Sequence, residues 1–382
     1  MAAALFLDMQ TMSTFEIKYH VAVRKDEQID EKIEGMCIEQ TTELPRGVVN
    51  SDIEEKVVGK PLSAEQIAPQ KHEVVISWPI ANLGHDISQF LNILYGNISL
   101  QSGIRIISAD WKMLSSIFEG PAAGIKEIRK QYDIPNRPLS ATALKPLGSS
   151  SEELAERAYL FSKGGIDVIK DDHGLADQEY APFEERLKTC VKAVDRAKNE
   201  TGIQSYYFPN ITSFAPETVK RYKQAAEQGA DGVLLCPHIA GLETMHRLAR
   251  LDIALPIIAH PAFSGSLTTN DNQGLSPAFL YGQLWRALGA DFVIYPNKGG
   301  RFSFTSEQCR GINDAVAGNH SPFKKAFPMP GGGIKLENMS QWVNDYGKDI
   351  TFLIGGSLYE HPDGIESAAN EFHNKLTQAY GD

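Results

Sequence analysis

Eight short apolar stretches, each followed by a stretch of helical spacing, recur roughly every 30 residues in the part of the chain beyond residue 138. They are Leu139–Leu144, Ile166–Lys170, Gln204–Phe208, Gly232–Cys236, Pro256–His260, Asp291–Tyr295, Ala326–Met329 and Thr351–Ile354. Short continuous apolar runs suit strands buried on both faces. The segments between them, such as Ser151–Lys163 and Phe183–Lys198, read as helices. Leu154, Ala155, Ala158 and Phe161 fall on one helical face behind a Ser149–Ser151 cap. Eight strand–helix units in a row predict a (β/α)8 TIM barrel. A doubly wound open sheet is the competing α/β architecture, but the first of these strands lacks the Gly-rich dinucleotide fingerprint.

The first third of the chain follows another rule. Phe15–Arg24 alternates, with Phe15, Ile17, Tyr19, Val21 and Val23 on one face. His72–Trp78 and Ile104–Ala109 read as further strands and Asp86–Leu94 as a helix. This predicts an N-terminal α+β domain of the ferredoxin-like kind over residues 1–125, followed by the barrel over residues 126–382. The boundary is placed in the Gly-, Pro- and charge-rich segment Gly120–Arg137. Ala2–Met9 is mildly apolar, too short and too weakly flanked for a signal peptide or a membrane span, and the first dozen residues read as a ragged start.

Composition narrows the partners. With 382 residues, 42% of them hydrophobic, there is ample material for a large core. Lys plus Arg number 37 against 48 Asp plus Glu, a net charge of −11. The absence of a long basic run argues against nucleic acid and anionic membranes, and an anionic ligand would have to be met by a local cationic pocket. Cys37, Cys190, Cys236 and Cys309 are far apart and form no CxxC pair, so neither a disulfide framework nor a structural zinc is expected, and a reducing cytoplasm is.

A barrel of this kind builds its site at the C-terminal ends of the strands. Reactive residues fall there: Lys145 in TALKPLG, Lys170, Asp172 and His173 in IKDDH, Asn210 in YYFPN, His260 in IIAHP, then YPNKGGR, MPGGG and LIGGS. Lys170 and Asp172 are two apart on a strand and so point the same way, with His173 where the strand gives out. Asp172 is a hard oxygen ligand, and a carbamate formed on Lys170 with carbon dioxide would be another. The alternative is a charged turn at a helix approach. Gly331–Gly333 and Gly355–Gly356 follow the last two strands, where glycine lets backbone N–H groups approach a phosphate. Tight turns that need positive φ are the other reading. A lysine at the position of Lys145 is costly to bury unless it is used, and its roles are to move a proton at carbon or bind an enolate oxygen. His260 is either a polar core histidine or a substrate contact, and His238 and His361 are weaker candidates.

These residues resemble a known family. GGIDVIKDDHGLADQEYAPFEER is similar to the KDDE segment of RuBisCO large chains, GMCIEQTTELP and LYGNISL to its N-terminal active-site segments, TALKPLG to its KPKLG segment, and PGGGI and LIGGSLYEHP to its two phosphate loops. The resemblance spans nearly the whole chain in the right order. It implies that Lys170 is carbamylated, that Lys170, Asp172 and His173 bind Mg2+ (Mn2+ or another divalent metal being possible), and that Lys145 is the catalytic lysine of the first strand. It implies that Gly332, Gly333, Gly355 and Gly356 hold a phosphate. It also implies that Glu39 and Asn97 complete the site of a neighbouring subunit, hence at least a homodimer.

Three departures separate this sequence from carboxylases. Leu147 stands where KPKLG has its second lysine, Pro261 where an arginine follows the strand-five histidine, and YPNKGGRFSF replaces the strand-six histidine and its lysine-bearing loop, unless Lys298 or Arg301 substitutes. His173 also stands where the family has a glutamate. The chain therefore resembles the non-carboxylating, form IV RuBisCO-like proteins, whose shared step is enolisation of a phosphorylated ketone. The first expectation is an isomerase of the 5-methylthioribulose 1-phosphate type, which moves a proton twice with Lys145 or the Lys170 carbamate as base. A decarboxylase of an oxo-sugar-acid phosphate follows, then a methionine-salvage diketo-methylthiopentyl-phosphate enolase. Such enolases place a lysine where Asn97 stands here. A non-catalytic binding or stress-response module comes last, because it has no need of Lys145, Lys170 and Asp172.

Overall fold

The computed structural model describes residues 13–380 apart from His85 and Ser303, so Ala2–Met9 lies outside the described residues. The chain divides into two compact units. One comprises Met1–Glu119, Ser264–Gln283 and His320–Pro322, and the other Gly120–Phe263, Leu284–Asn319 and Phe323–Asp382.

In the first unit, β1 (Thr14–Ala22), β2 (Lys60–Ala68), β3 (Lys71–Pro79) and β4 (Ile104–Ala109) pair antiparallel in the order β4-β1-β3-β2. Helices Ile29–Glu39 and Ile87–Tyr95 lie between the strands in sequence, which is the βαββαβ connectivity of a ferredoxin-like sheet. Strand β1 buries Phe15, Ile17, Tyr19 and Val21 on one face, as its alternation predicts. Helix Ile87–Tyr95 starts at Asp86, whose side chain accepts from Ser88 N at 2.8 Å, and buries Ile87, Phe90, Ile93 and Leu94. Phe90 packs edge-on against Phe118, with ring centroids 4.9 Å apart. A two-residue strand, Gly274–Leu275, adds to this sheet parallel to β4. Sequence periodicity missed β2, because all nine of its residues are exposed and it presents no apolar face.

The second unit holds all eight expected strands: β5 (Leu139–Leu144), β6 (Val168–Asp171), β7 (Tyr206–Phe208), β8 (Val233–Leu235), β9 (Ile257–Ala259) and, after β10 (the Gly274–Leu275 strand of the other sheet), β11 (Phe292–Pro296), β12 (Phe327–Gly331) and β13 (Thr351–Leu353). They pair parallel in the order β7-β6-β5-β13-β12-β11-β9-β8. The two end strands meet just beyond β7, where Leu234 N donates to Pro209 O at 2.9 Å and Ile211 N to Leu234 O at 3.0 Å. The result is a nearly closed barrel. Its interior is filled by Ala141, Val168, Phe208, Leu234, Ile258, Ile294 and Met329, and helix Gly124–Tyr132 packs Ile125, Ile128 and Tyr132 against the same cluster. Tyr132 stacks on Tyr206, which opens β7, so this helix covers the end where the strands begin and leaves the other end for chemistry.

The helices start where their caps put them. Ser150 accepts from Glu153 N while the Glu153 carboxylate accepts from Ser150 N, a capping box that opens helix Ser151–Lys163. All four cysteines are free and buried. Among the described residues, no helix is long and apolar enough to cross a membrane.

Candidate active site

Strand β6 divides its polar residues between two faces. Val168 and Lys170 point into the barrel, while Asp171 points out to the helix layer. There the Asp171 carboxylate accepts from Arg186 Nε at 3.0 Å, Asn210 N at 2.9 Å and Tyr207 Oη at 2.8 Å. Arg186 in turn donates to the carbonyls of Ala181 and Ala176. Asn210 donates through Nδ2 to the carbonyls of His173 and Leu175, at 2.9 and 2.7 Å. Asp171 and Asn210 thus hold the loop after β6. Asn210, a strand-end candidate by sequence, spends its side chain on that backbone. The one sequence signal for this division was the strand alternation that separates Asp171 from Lys170 and Asp172.

The same strand delivers Lys170 and Asp172 to the barrel mouth, next to Lys145 from the end of β5. Lys145 Nζ lies 2.6 Å from Asp172 Oδ2. Lys145 N donates to Tyr359 Oη, and the Tyr359 hydroxyl donates to Ala143 O, so the end of β5 is tied down. Burial works to raise the Asp172 carboxyl, but the Lys145 hydrogen bond and the Lys170 and Lys145 charges outweigh it and hold the group below its ordinary value. Lys170 is buried and donates to Asp171 O at 2.9 Å. Burial pulls its amine down to about 8, with Asp172 opposing the shift and Lys145 adding to it.

His173 follows Asp172, its Nδ1 3.4 Å from Asp172 Oδ1. Its ring stacks on that of His260 from the end of β9, with centroids 4.2 Å apart and planes 12° from parallel. Burial lowers the His173 imidazole, Asp172 opposing and Lys170 and Lys145 assisting, although 45% of the side chain remains exposed. His260 is pushed well below the ordinary imidazole range by burial, with Lys170, His173 and Lys145 adding. Its Nδ1 accepts from Ala262 N at 3.2 Å, which leaves the ring proton on Nε2.

The glycine turns differ from each other. Gly332 and Gly333 have φ of +91° and +72°, and a Cβ at Gly333 would lie 2.9 Å from the Gly299 carbonyl carbon, so turn geometry and close packing both demand glycine there. A Cβ at Gly356 would meet nothing within 4 Å, and one at Gly355 only Lys145 Cε, at 3.9 Å. Open backbone therefore lies beside Lys145. In the loop after β11, Lys298 pairs with Asp345 at 2.9 Å, and Arg301 lies over the Phe302 ring. His361 pairs with Glu371, and His238 lies against Trp285, so neither joins the cluster at Lys145.

In the first unit, Asn97 Nδ2 donates to Glu39 Oε1 at 2.9 Å. The two line a cleft of about 180 Å³ with Gln40, Thr41, Asn82 and Asn92.

Residues 124–379 match the family model "Ribulose bisphosphate carboxylase large chain, catalytic domain". The chain belongs to the RuBisCO large-chain family. Among its RuBisCO-like relatives, a 5-methylthioribulose-1-phosphate isomerase of Rhodospirillum rubrum is 32% identical over 94% of this chain and 94% of its own. A 2,3-diketo-5-methylthiopentyl-1-phosphate enolase of Bacillus pumilus is 33% identical over 95% of this chain and 92% of its own. The crystal structure of a Rubisco-like protein from Rhodopseudomonas palustris superposes with a TM-score of 0.86 at 31% identity, covering 96% of this chain and 98% of that one. The α/β architecture expected from the sequence, a barrel after an antiparallel sheet domain, is the RuBisCO architecture found here.

Does this RuBisCO-like cluster fit a metal? Among the described residues, no three His, Cys, Asp or Glu side chains come together as a metal site. The chain offers two such donors side by side, Asp172 and His173, and a third has to be made. Lys170 supplies the means, since a buried amine drawn down to about 8 is far more often neutral, and so able to take up carbon dioxide, than an ordinary lysine. The donor set fits a divalent cation once Lys170 is carbamylated.

Proposed function

We propose that this protein enolises a phosphorylated keto-sugar at the mouth of its barrel, and that its reaction is an isomerisation of the 5-methylthioribulose 1-phosphate type. One observation carries this reading: Lys145 lies 2.6 Å from Asp172, beside the buried amine of Lys170. A proton carrier, a carboxylate that holds it, and a lysine ready for carbamylation are the parts an enolisation needs.

The roles follow from position. Carbamylated Lys170, Asp172 and His173 would hold Mg2+, or Mn2+, which polarises the substrate carbonyl when bound. With His173 neutral, the carbamate and Asp172 bring two negative charges to the ion, and the imidazole makes the site softer than a glutamate would. As the neutral amine, once its own proton has gone to solvent, Lys145 Nζ takes the proton from the carbon next to the carbonyl and returns it to the former carbonyl carbon, while the hydroxyl proton passes to the former carbonyl oxygen. The hydrogen moves, the carbonyl shifts by one position, and nothing is oxidised overall. Asp172 keeps Lys145 in reach through its hydrogen bond. His260, with its proton on Nε2, offers a neutral donor to the substrate oxygens. Backbone N–H groups at Gly332, Gly333, Gly355 and Gly356 receive the phosphate.

The enolase remains the alternative, since a relative of that name is as similar as the isomerase. Asn97 favours the isomerase, because it carries an amide paired with Glu39 where the enolases are expected to carry a lysine. A homodimer with shared sites completes the reading. Glu39 and Asn97 already form one pair, and the segments that follow β5, β6, β7, β8, β9 and β11 expose Leu147, Tyr180, Phe214, Ile239, Phe263 and Phe302, an apolar fringe suited to a covering subunit.

The test is proton NMR in deuterium oxide with 5-methylthioribulose 1-phosphate, its diketo derivative and an oxo-sugar-acid phosphate, in the presence of Mg2+ and bicarbonate. The isomerase reading expects conversion of the first substrate, with deuterium entering at its former carbonyl carbon to the extent that the carried proton exchanges with solvent. Turnover of the second or third alone replaces it with the enolase or the decarboxylase. No exchange with any of them removes the enzymatic reading.

A further inference from the structure

The stacked imidazoles of His173 and His260 are committed in different ways. His260 is anchored twice: its backbone N donates to Leu235 O at 2.9 Å, and its ring Nδ1 accepts from Ala262 N. With Nδ1 occupied and the proton on Nε2, this ring has no lone pair to offer a cation. Among the described residues, His173 is held by its backbone, where Asn210 grips its carbonyl, and by the edge of its ring at Asp172. Nearly half of its side chain is exposed, so by itself the ring has room to turn. The face of His260 is what limits it, at 4.2 Å and 12° from parallel.

We propose that His260 is a positioning residue for the metal site, and that its ring, by stacking, holds His173 in the one plane in which the imidazole can serve beside Asp172. This rests on the reading of His173 as a ligand. It assigns to a residue at the end of β9 the control of how firmly, and with which metal preference, the loop after β6 binds. A ligand held from behind binds more tightly than one free to rotate, and loss of such support usually costs about 10–100-fold in metal affinity. Because imidazole prefers transition metals to Mg2+, the loss should fall more heavily on Co2+ and Mn2+ than on Mg2+.

The test uses the full chain with bicarbonate, titrated with Mn2+ and followed by the electron paramagnetic resonance signal of free Mn2+, and with Co2+ followed by its visible spectrum. Three variants are compared: His173→Ala, His260→Ala and His260→Phe. His260→Phe keeps a ring for the stack and loses the nitrogens. The expected result is a loss of about tenfold or more in Mn2+ affinity and an altered Co2+ spectrum in His260→Ala, with His260→Phe close to the parent. Unchanged binding in His260→Ala overturns the inference, and so does an equal loss in His260→Ala and His260→Phe, because the ring face would then not be the cause. Unchanged binding in His173→Ala is a different failure: it removes His173 from the ligand set, and this inference with it.

Discussion

Arg186 and Asp171 form an ion pair at 3.0 Å in which neither side chain is exposed to solvent, directly under the loop that carries Asp172 and His173. The loop at the barrel mouth rests on this buried ion pair. Breaking such a pair by removing one partner leaves an uncompensated charge in the interior. Arg186→Met should therefore lower stability by about 3–5 kcal/mol, measured by urea denaturation. It should also weaken Mn2+ binding, because Asp171 holds Asn210 and Asn210 holds the His173 carbonyl. A variant as stable as the parent would show that the pair is dispensable.

Lys145 is the proposed proton carrier, so its loss should appear in kcat. Lys145→Ala is expected to lower kcat by about 10²–10⁴-fold, the usual contribution of a positioned acid–base group, with a much smaller change in KM. Lys145→Arg should not recover the loss, since a guanidinium does not give up its proton. Steady-state kinetics on both variants decide this, and a drop in kcat of less than tenfold for Lys145→Ala would remove Lys145 from the proton path.

Lys170 should give activation a steep pH dependence. Carbon dioxide reacts with the neutral amine, and burial brings that amine down to about 8. Its neutral fraction is then about one-tenth at pH 7, one-half at pH 8 and nine-tenths at pH 9, against roughly 0.03% at pH 7 for an ordinary lysine. Because the folded protein lowers the value, activation rises with pH and is lost on acidification. The measurement is preincubation with Mg2+ at fixed dissolved carbon dioxide across pH 7–9, then an initial rate at one common pH. Carbon-13 NMR of the labelled carbamate should follow the same curve. A flat profile, or a Lys170→Ala variant that still turns over, contradicts the assignment.

Glu39 offers a test of shared sites. Glu39→Gln and Lys170→Ala should each be inactive alone. Mixed after mild dissociation, they should form hybrids in which one site regains both native residues, giving up to about a quarter of parental activity if each dimer has two sites and assortment is random. Light scattering supplies the control, because an active protein that is strictly monomeric rules out the arrangement.

The barrel was legible because its strands are buried on both faces, which makes an apolar run stand out even where the hydrogen-bonded strand is only three residues long, as at Tyr206–Phe208 and Ile257–Ala259. Strand β2 was not legible, since Lys60–Ala68 buries nothing and owes its form to pairing with β3. Nor was the short strand at Gly274–Leu275, whose partner residues Arg105 and Ile106 lie far back in the chain. At the site, the spacing of Lys170 and Asp172 announced a shared face. The split between Asp171 and Asp172 became plain only with Arg186 and Tyr207 in place, and the stacking of His173 on His260 joins two strands that local sequence cannot relate.

The close approach of the Gly299–Gly300 and Gly332–Gly333 turns ties two stretches of the chain into one heritable unit. A Cβ at Gly333 would come within 2.9 Å of the Gly299 backbone, and one at Gly300 within 3.2 Å of the Gly332 backbone. Neither loop can be exchanged for a bulkier relative while the other stays as it is. Swapping substrate preference between members of this family by loop transplantation should therefore succeed only when the segments after β11 and β12 travel together. Mutational drift at either one is confined by the other, whatever ligand the barrel mouth has been selected to accept.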